Sequence, residues 1–297
     1  MLTLEILSPE RLDDDKKALT SLIGEAGIVT RFVTPSSMSF LTSMRIASEC
    51  KKAVPDSVIC HRLKDVIGAI SARELTRKRG GDFRILYFVS PDDETPKRMP
   101  TEIMKAVDCW VFPDEETAAR YSAIEDLVMN SSALLYPTTT EGPLKEKTPS
   151  KTDSINILYL GPLEKLKSLS DAIDTMVSLD NNNRLTMTVL TTGSARFVMP
   201  LVRRARANNL SIDWRGDEYN LEKELARADA ILVANPPHLS PREIRALLAG
   251  HVLVSDSREL EAVNEGKTDE IISRMELLRS YHHPEQYVET LKRIIKP

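Results

Sequence analysis

The six residues Ile155-Asn156-Ile157-Leu158-Tyr159-Leu160 form a short apolar run that ends at Gly161-Pro162, and an amphipathic stretch from Leu166 to Leu179 follows it. An apolar run of this length that leads through glycine into a helical pattern is typical of a strand–turn–helix unit in a parallel sheet. Because the run is apolar at nearly every position, we expect helices to cover both faces of that sheet.

The same alternation extends in both directions from this stretch. Upstream, a helical pattern covers 63–78, and strand-like runs lie at 4–7, 28–33, 57–60, 85–89, 109–112 and 133–136. Downstream, helical patterns at 197–207, 221–227 and 242–249 alternate with strand-like runs at 186–190, 210–214, 230–233 and 252–254. This order predicts an α/β fold with mostly parallel sheets.

A polar segment separates the two series. Residues 138–154 combine threonines, Gly142, Pro143 and Pro149 with charged residues and show no apolar period, as an exposed linker does. We therefore predict a Rossmann-like domain over 1–137, a linker over 138–154 and a second Rossmann-like domain over 155–297. The last helical pattern, 285–296, either closes the second domain or returns to the first, and the sequence leaves both positions open.

Composition limits the classes of function. A net charge of −4 gives no excess of cations for binding nucleic acid. Cys50, Cys60 and Cys109 are widely spaced without a CxxC pair, which predicts a reducing compartment and neither a disulfide framework nor a zinc site. No apolar run reaches the roughly 18 to 20 residues of a membrane-spanning helix. We therefore expect a cytoplasmic protein, either free or peripheral at the inner face of the membrane.

Ligands of open α/β sheets bind in the loops after the carboxyl ends of strands, so these loops hold the candidate residues. Lys167 lies in the first helical turn after Gly161. A lysine is mildly unfavourable at that end of a helix, which suggests an anion such as a diphosphate, although a solvated lysine is the alternative. Gly193, after the run 186–190, either lets a ligand approach the backbone or serves an ordinary turn.

The loop after 230–233 contains Asn235, His238 and Ser240 as candidate donor-binding residues. Ser240-Pro241 with Glu243 three positions after the serine predicts a capped helix start. A histidine in such a loop either contacts a ligand or is incidental.

His61 directly follows the run 57–60, again at the carboxyl end of a predicted strand. It is a candidate general base or acceptor contact, and the alternative is a surface histidine. No Asp-x-Asp pair lies at a strand end, so we predict neither a metal ion nor a cofactor.

Six segments, in order along the chain, resemble the GT-B glycosyltransferases of family 4. In the second half they are 157–167, 225–233, 244–254 and 259–266, and in the first half, more weakly, 55–61 and 107–113. The resemblance implies two Rossmann-like domains that face a cleft, and a retaining, metal-independent transfer from a nucleotide-diphosphate sugar. Lys167 matches the family's phosphate-binding lysine.

Several positions depart from the family pattern. The two glutamates of the family, eight positions apart, correspond to Pro237 and Arg245. Glu243 lies about 200° around the helix from position 245 and cannot substitute for the second glutamate. The phosphate-binding arginine corresponds to Pro162, the family's histidine after 85–89 corresponds to Ser90, and the glycine-rich N-terminal loop is missing.

Three hypotheses follow from the resemblance and its departures. The first is a glycosyltransferase of polysaccharide or glycoconjugate synthesis, with Lys167 and Arg245 toward the donor diphosphate and His61 toward a saccharide or glycolipid acceptor. The second is a catalytically inactive GT-B-fold protein that acts as a binding subunit of a partner transferase. The third is a non-hydrolysing epimerase, which needs carboxylates and histidines to converge; the sequence offers only His61 and His238.

Overall fold

The structure is a computed structural model of the chain. It describes residues 1–7, 14–79, 81–90, 100–122, 132–139, 154–160, 166–179, 185–190, 199–215, 220–233 and 238–296. The chain divides into two compact units, here called unit 1 (Met1–Glu141 with Pro284–Pro297) and unit 2 (Gly142–His283). Most of the predicted linker, residues 140–153, lies outside the described part of the chain.

Unit 1 is built on a parallel sheet of six strands in the order β2-β1-β3-β4-β5-β6. The strands are β1 (Leu2–Ile6), β2 (Val29–Val33), β3 (Ser57–Cys60), β4 (Arg84–Phe88), β5 (Cys109–Phe112) and β6 (Ser132–Leu134). The helices between them are α1 (Asp14–Glu25), α2 (Ser39–Lys52), α3 (Leu63–Thr76), α4 (Thr101–Ala106) and α5 (Glu115–Ser122). The strand order reverses between β1 and β3.

Unit 2 repeats this plan with a parallel sheet of five strands in the order β11-β10-β7-β8-β9. The strands are β7 (Ile155–Tyr159), β8 (Leu185–Leu190), β9 (Ser211–Arg215), β10 (Ala230–Leu232) and β11 (Leu253–Val254). The helices are α6 (Leu166–Leu179), α7 (Met199–Ala207), α8 (Leu221–Leu225), α9 (Pro241–Leu248), α10 (Ser257–Glu265) and α11 (Asp269–Tyr281). Here the order reverses between β7 and β10.

The final helix, α12 (Pro284–Ile295), belongs to unit 1. Alternate residues of the unit 1 strands face opposite sides of the sheet, and the two sides form separate cores. Val288, Leu291 and Ile294 of α12 join Leu86 and Val111 in the core on the α1 side. The sequence leaves two positions open for this helix, and in the structure it packs in the first unit.

Arg84 fixes the end of α12 to the sheet. Its guanidinium donates hydrogen bonds to the backbone carbonyls of Ile294 and Ile295. The last carbonyls of a helix have no intrahelical partners, and a cation there complements the helix dipole.

Where the sequence predicts the bounds of another strand or helix, the observed bounds lie close to them. The runs 57–60 and 109–112 and the helix Leu166–Leu179 match to the residue. The helix predicted over 63–78 ends at Thr76, because a 3-10 turn over Arg77–Arg79 takes its last residues. Within the described residues, no helix is long and apolar enough to cross a membrane.

The position of α12 predicts an effect of Leu291→Ala on unit 1. Leu291 is 2% exposed, and a buried leucine replaced by alanine costs about 2 to 5 kcal/mol. Hydrogen exchange read by mass spectrometry should show faster exchange in β4 and β5, with the strands of unit 2 unchanged.

The matched control is Leu277→Ala on α11, where the leucine is 55% exposed. A surface change of this kind is expected to stay within about 0.5 kcal/mol. Equal protection of β4 in wild type and Leu291→Ala would show that α12 does not complete the core of unit 1.

Candidate functional site

Glu5 and His61 meet where the strand order of unit 1 reverses. Glu5 lies on β1 opposite Ile59 of β3, and His61 follows Ile59 by two residues. Because side chains alternate along a strand, Ile59 and His61 point to the face of the sheet that Glu5 occupies. His61 Nε2 lies 2.8 Å from Glu5 Oε1. Ligands of open α/β sheets bind at such a reversal, beyond the carboxyl ends of the strands.

Lys16 of α1 provides a positive charge for this carboxylate. Its Nζ lies 2.7 Å from the same oxygen, Glu5 Oε1, and Glu5 is only 4% exposed. Burial by itself raises the pKa of Glu5, but the hydrogen bond from His61 and the charges of Lys16 and His61 outweigh it and lower the pKa from 4.5 to about 2. Glu5 is therefore ionised at neutral pH.

Tyr287 brings α12 into the same cluster. Burial and the negative charge of Glu5 raise the pKa of this phenol, so Tyr287 stays neutral and keeps its proton for donation. The cluster therefore joins β1, α1, the end of β3 and α12.

A pocket of about 270 Å³ opens beside His61 at the carboxyl ends of β3 to β6. Ser90 lines the same pocket, as do Pro113 and Tyr287. The Phe88 ring packs edge-on to the His61 ring with centroids 5.7 Å apart. The lining therefore combines apolar side chains with the polar groups of His61, Ser90 and Tyr287, as is usual in small-molecule sites.

The pair of Glu5 and His61 suits proton chemistry or hydrogen bonding to a hydroxyl group. Among the described residues, the imidazole makes one hydrogen bond, through Nε2 to Glu5. If Nε2 carries the proton, the carboxylate holds that tautomer and Nδ1 is left as an acceptor. A carboxylate that holds a histidine in this way fixes the orientation of the ring.

Sequence reasoning found His61 but missed Glu5, Lys16 and Tyr287. The signal for Glu5 is its position, since it is the only charged residue in the strand Leu2–Ile6. A carboxylate is almost never buried in a strand without a charged partner. That rule predicts a partner for Glu5, but only the fold shows that it lies on α1 and after β3.

Of the predicted donor residues in unit 2, Ser240 caps helix α9. Its Oγ accepts the Glu243 backbone N–H at 3.3 Å, and the Ser240 backbone N–H donates to Glu243 Oε2 at 2.7 Å. This capping box confirms the helix start that the sequence predicts. Glu243 is 3% exposed, so its carboxylate is held by the helix end. His238 lies partly buried before this helix.

Arg245 lies on the same helix, α9, and pairs with Glu222 of α8. Its Nη2 lies 3.1 Å from Glu222 Oε1, with the arginine side chain 17% exposed and the glutamate side chain 68% exposed. An ion pair with one exposed partner contributes about 1 kcal/mol or less.

The remaining predicted donor residues fall in parts of the chain that are not described. Gly161, Gly193 and Asn235 lie outside the described residues, and so does the side chain of Lys167. Their roles stay predictions. Gly161 and Asn235 follow β7 and β10, the two strands between which the order of unit 2 reverses.

Unit 2 also has a pocket that sequence reasoning did not single out. It has a volume of about 270 Å³, lies beyond the carboxyl ends of β10 and β11, and is lined by Asp171, Thr175, Ser255, Asp256 and Ser257. Asp256 Oδ1 accepts the Glu259 backbone N–H at 2.9 Å and caps α10. Hydroxyl and carboxylate groups of this kind suit a ligand rich in hydroxyl groups.

Comparison with solved structures identifies the architecture. The lipopolysaccharide outer core galactosyltransferase WaaB, in its apo form, matches with a TM-score of 0.65 and 14% identity over 99% of this chain and 98% of that one. The chain has the GT-B fold. HepE of Anabaena, in complex with UDP and glucose, matches with a TM-score of 0.65 and 11% identity over 99% of this chain and 98% of that one.

A third neighbour with the GT-B fold is a UDP-forming α,α-trehalose-phosphate synthase of Burkholderia xenovorans. It matches with a TM-score of 0.65 and 10% identity, over 99% of this chain and 98% of that one. Protein-family models give no match to the sequence, and a search of the curated proteins gives none either.

The lowered pKa of Glu5 predicts a pH dependence of stability. Its pKa is about 2 in the folded protein and 4.5 ordinarily, so the ionised carboxylate stabilises the fold above pH 4.5. This contribution, about 3 kcal/mol at neutral pH, is lost as the pH falls from 4.5 toward 2. Glu5→Gln lacks it, so the difference in stability between wild type and variant should shrink by about 2 kcal/mol from pH 7 to pH 3.

The two tryptophans of the chain allow this to be measured in unit 1 alone. Trp110 is fully buried in unit 1, so urea unfolding in a Trp214→Phe background reports on that unit. A difference that does not change with pH would contradict the ion cluster around Glu5.

Proposed function

We propose that this chain is a glycosyltransferase that moves a sugar from a nucleotide-diphosphate donor to a hydroxyl group of an acceptor. The observation that carries the proposal is the carboxylate–imidazole pair of Glu5 and His61 beside a pocket at the strand reversal of unit 1. The GT-B fold supports it, because the solved neighbours with this fold are named as glycosyltransferases or as a UDP-forming synthase.

On the acceptor side, His61 holds the acceptor hydroxyl. Nδ1 accepts the hydrogen bond of that hydroxyl, while Glu5 fixes the ring through Nε2. Ser90 and the neutral phenol of Tyr287 line the same pocket and supply further hydrogen bonds to a saccharide.

On the donor side, β7 and β10 are neighbouring strands, and Gly161 and Asn235 come shortly after them in the sequence, which supports a donor site at this reversal. Lys167, in the first turns of α6, and Arg245 supply positive charge for the diphosphate, whose negative charge grows as the sugar leaves. The HepE structure holds UDP and glucose, so a uridine diphosphate sugar is the first donor to test.

A specific observation favours a second candidate, a GT-B-fold protein without transferase activity that acts as a subunit of a partner. Pro237 and Arg245 stand where the family has its glutamates, and the nearby carboxylate of Glu243 is buried in a capping box. The described part of unit 2 thus shows no carboxylate from α9 available to a donor ribose.

The deciding experiment is a thermal-shift panel of uridine, guanosine and adenosine diphosphate sugars on the purified chain. A donor at about 100 times its Kd stabilises the native state by about 2.7 kcal/mol, which raises Tm by roughly 5 to 11 °C for a folding unit of about 150 to 250 residues. A shift followed by transfer to a saccharide supports the transferase. Binding without transfer, or no binding of any donor, supports the subunit.

The predicted donor residue is tested with Lys167→Ala. Loss of a charged hydrogen bond to a diphosphate costs about 1.5 to 3 kcal/mol, so the Kd of the donor should rise roughly 10- to 100-fold. Isothermal titration calorimetry measures this, with Lys223→Ala on the exposed side of α8 as the matched control. An unchanged Kd in Lys167→Ala would remove the lysine from the donor site.

The acceptor side is tested with His61→Ala. The transfer rate should fall at least about tenfold, while the donor Kd stays unchanged, because His61 contacts only the acceptor. His283→Ala, which replaces an exposed histidine, is the control. Full transfer activity in His61→Ala would show that the pocket in unit 1 is not the acceptor site.

A further inference from the structure

Helices α2 and α3 of unit 1 carry large apolar side chains on their outward faces. Of the thirteen large apolar side chains that are exposed among the described residues, seven lie between residues 38 and 75. Six of them, here called the α2/α3 surface, are Met38 (65% exposed), Phe40 (65%), Leu41 (43%), Met44 (49%), Ile67 (41%) and Leu75 (57%). Single exposed apolar residues need no explanation, but a cluster of this kind marks an interaction site.

Helices α2 and α3 pack closely against each other, so their exposed apolar side chains do not fill the contact between them. A Cβ on Gly68 of α3 would lie 3.1 Å from the Ser39 carbonyl and 3.2 Å from Thr42 Cβ. The helices therefore approach each other through small residues, and Ser43 and Ala69 are fully or almost fully buried there. The larger apolar side chains are kept on the outside.

Positive charge lies next to these apolar side chains. A groove of about 780 Å³ runs between the ends of α2 and α3, with Met44 and Leu75 among its apolar walls and Lys51, Lys52 and Lys78 at its edge. Arg45 and Lys64 are also exposed on the two helices. Although Glu49 pairs with Lys52, residues 38–78 hold eight lysines or arginines against four aspartates or glutamates. The whole chain, in contrast, has a net charge of −4.

We propose that the α2/α3 surface attaches unit 1 to the surface of an anionic lipid membrane. An apolar helix face that is flanked by lysines binds the boundary between headgroups and acyl chains, because the apolar side chains insert and the cations meet the anionic headgroups. Lysine side chains also suit this position, since their stems cover apolar surface while the charges stay in water.

The charges argue against two other occupants. Lysine is depleted in protein–protein interfaces, whereas arginine is enriched. A second copy of this chain in a two-fold contact would bring the lysine edges of the two grooves together, and like charges repel.

The groove with its lysines lies away from the candidate acceptor pocket. The groove lies at the ends of α2 and α3 that lead into β3 and β4, at the amino edge of the sheet, whereas the pocket lies at the carboxyl edge. The proposal is independent of sugar transfer, and its test needs no sugar nucleotide.

The test is co-sedimentation of the full chain with vesicles of phosphatidylcholine alone and of equal parts phosphatidylcholine and phosphatidylglycerol. We expect binding to the anionic vesicles that weakens as salt rises, and much less binding to the neutral ones. The double variant Phe40→Ser/Met44→Ser should bind at least about tenfold more weakly. Lys51→Gln/Lys52→Gln should bind more weakly by about fivefold for each lysine.

Matched control variants distinguish binding through the α2/α3 surface from nonspecific binding of other exposed apolar or cationic side chains. Ile272→Ser/Leu277→Ser removes exposed apolar side chains from α11, and Arg203→Gln/Arg206→Gln removes exposed cations from α7. Both should bind like wild type, and an unchanged Tm should show that each variant is folded. Equal binding to both vesicles, no binding to either, or equal losses in the control variants would overturn the proposal. Self-association of the free chain that Phe40→Ser/Met44→Ser abolishes would assign the surface to a second copy instead.

Discussion

The buried carboxylate of Glu5 is the constraint on which the functional face of unit 1 depends. An unpaired carboxylate in the interior of a sheet costs several kcal/mol, so the fold has to bring compensating groups to it. Lys16 comes from α1 and His61 from the end of β3. On α12, the negative charge of Glu5 helps to raise the pKa of Tyr287. The charge of Glu5 therefore interacts with groups from α1, the end of β3 and α12. The same carboxylate orients the imidazole that borders the pocket.

The core of unit 1 also depends on α12, which is far from the rest of that unit in sequence. Leu86 and Val111 on the α1 side of the sheet are covered by α12, which follows unit 2 in sequence. The core of unit 1 is therefore complete only when α12 is packed against the sheet. Closing so long a connection costs little more than closing a shorter one, since the entropy of a loop grows slowly with its length. The apolar stripe of α12 and the hydrogen bonds from Arg84 to its last carbonyls offset that cost.

The sequence predicts the parts of this molecule that are local. Strands such as Cys109–Phe112 and the helix Leu166–Leu179 have a single apolar period bounded by polar or turn residues, so their bounds agree with the structure. The capping box of Ser240 and Glu243 is local as well. Helix α2 was not predicted, because Phe40 and Met44 on its outer side blur the apolar stripe. The partner of Glu5 could not be read, because His61 lies 56 residues away and only the strand order brings the two together.

Helix α9 differs in charge from the family pattern, because Arg245 stands where that pattern has a glutamate. Glu243 cannot leave its helix cap without exposing the backbone N–H of Ser240. Arg245 pairs with the largely exposed Glu222, and an ion pair of this kind contributes about 1 kcal/mol or less. In the donor site that we propose, Arg245 would favour the phosphates of a nucleotide over its ribose, because a guanidinium binds phosphate oxygens well but cannot accept a hydrogen bond from a hydroxyl.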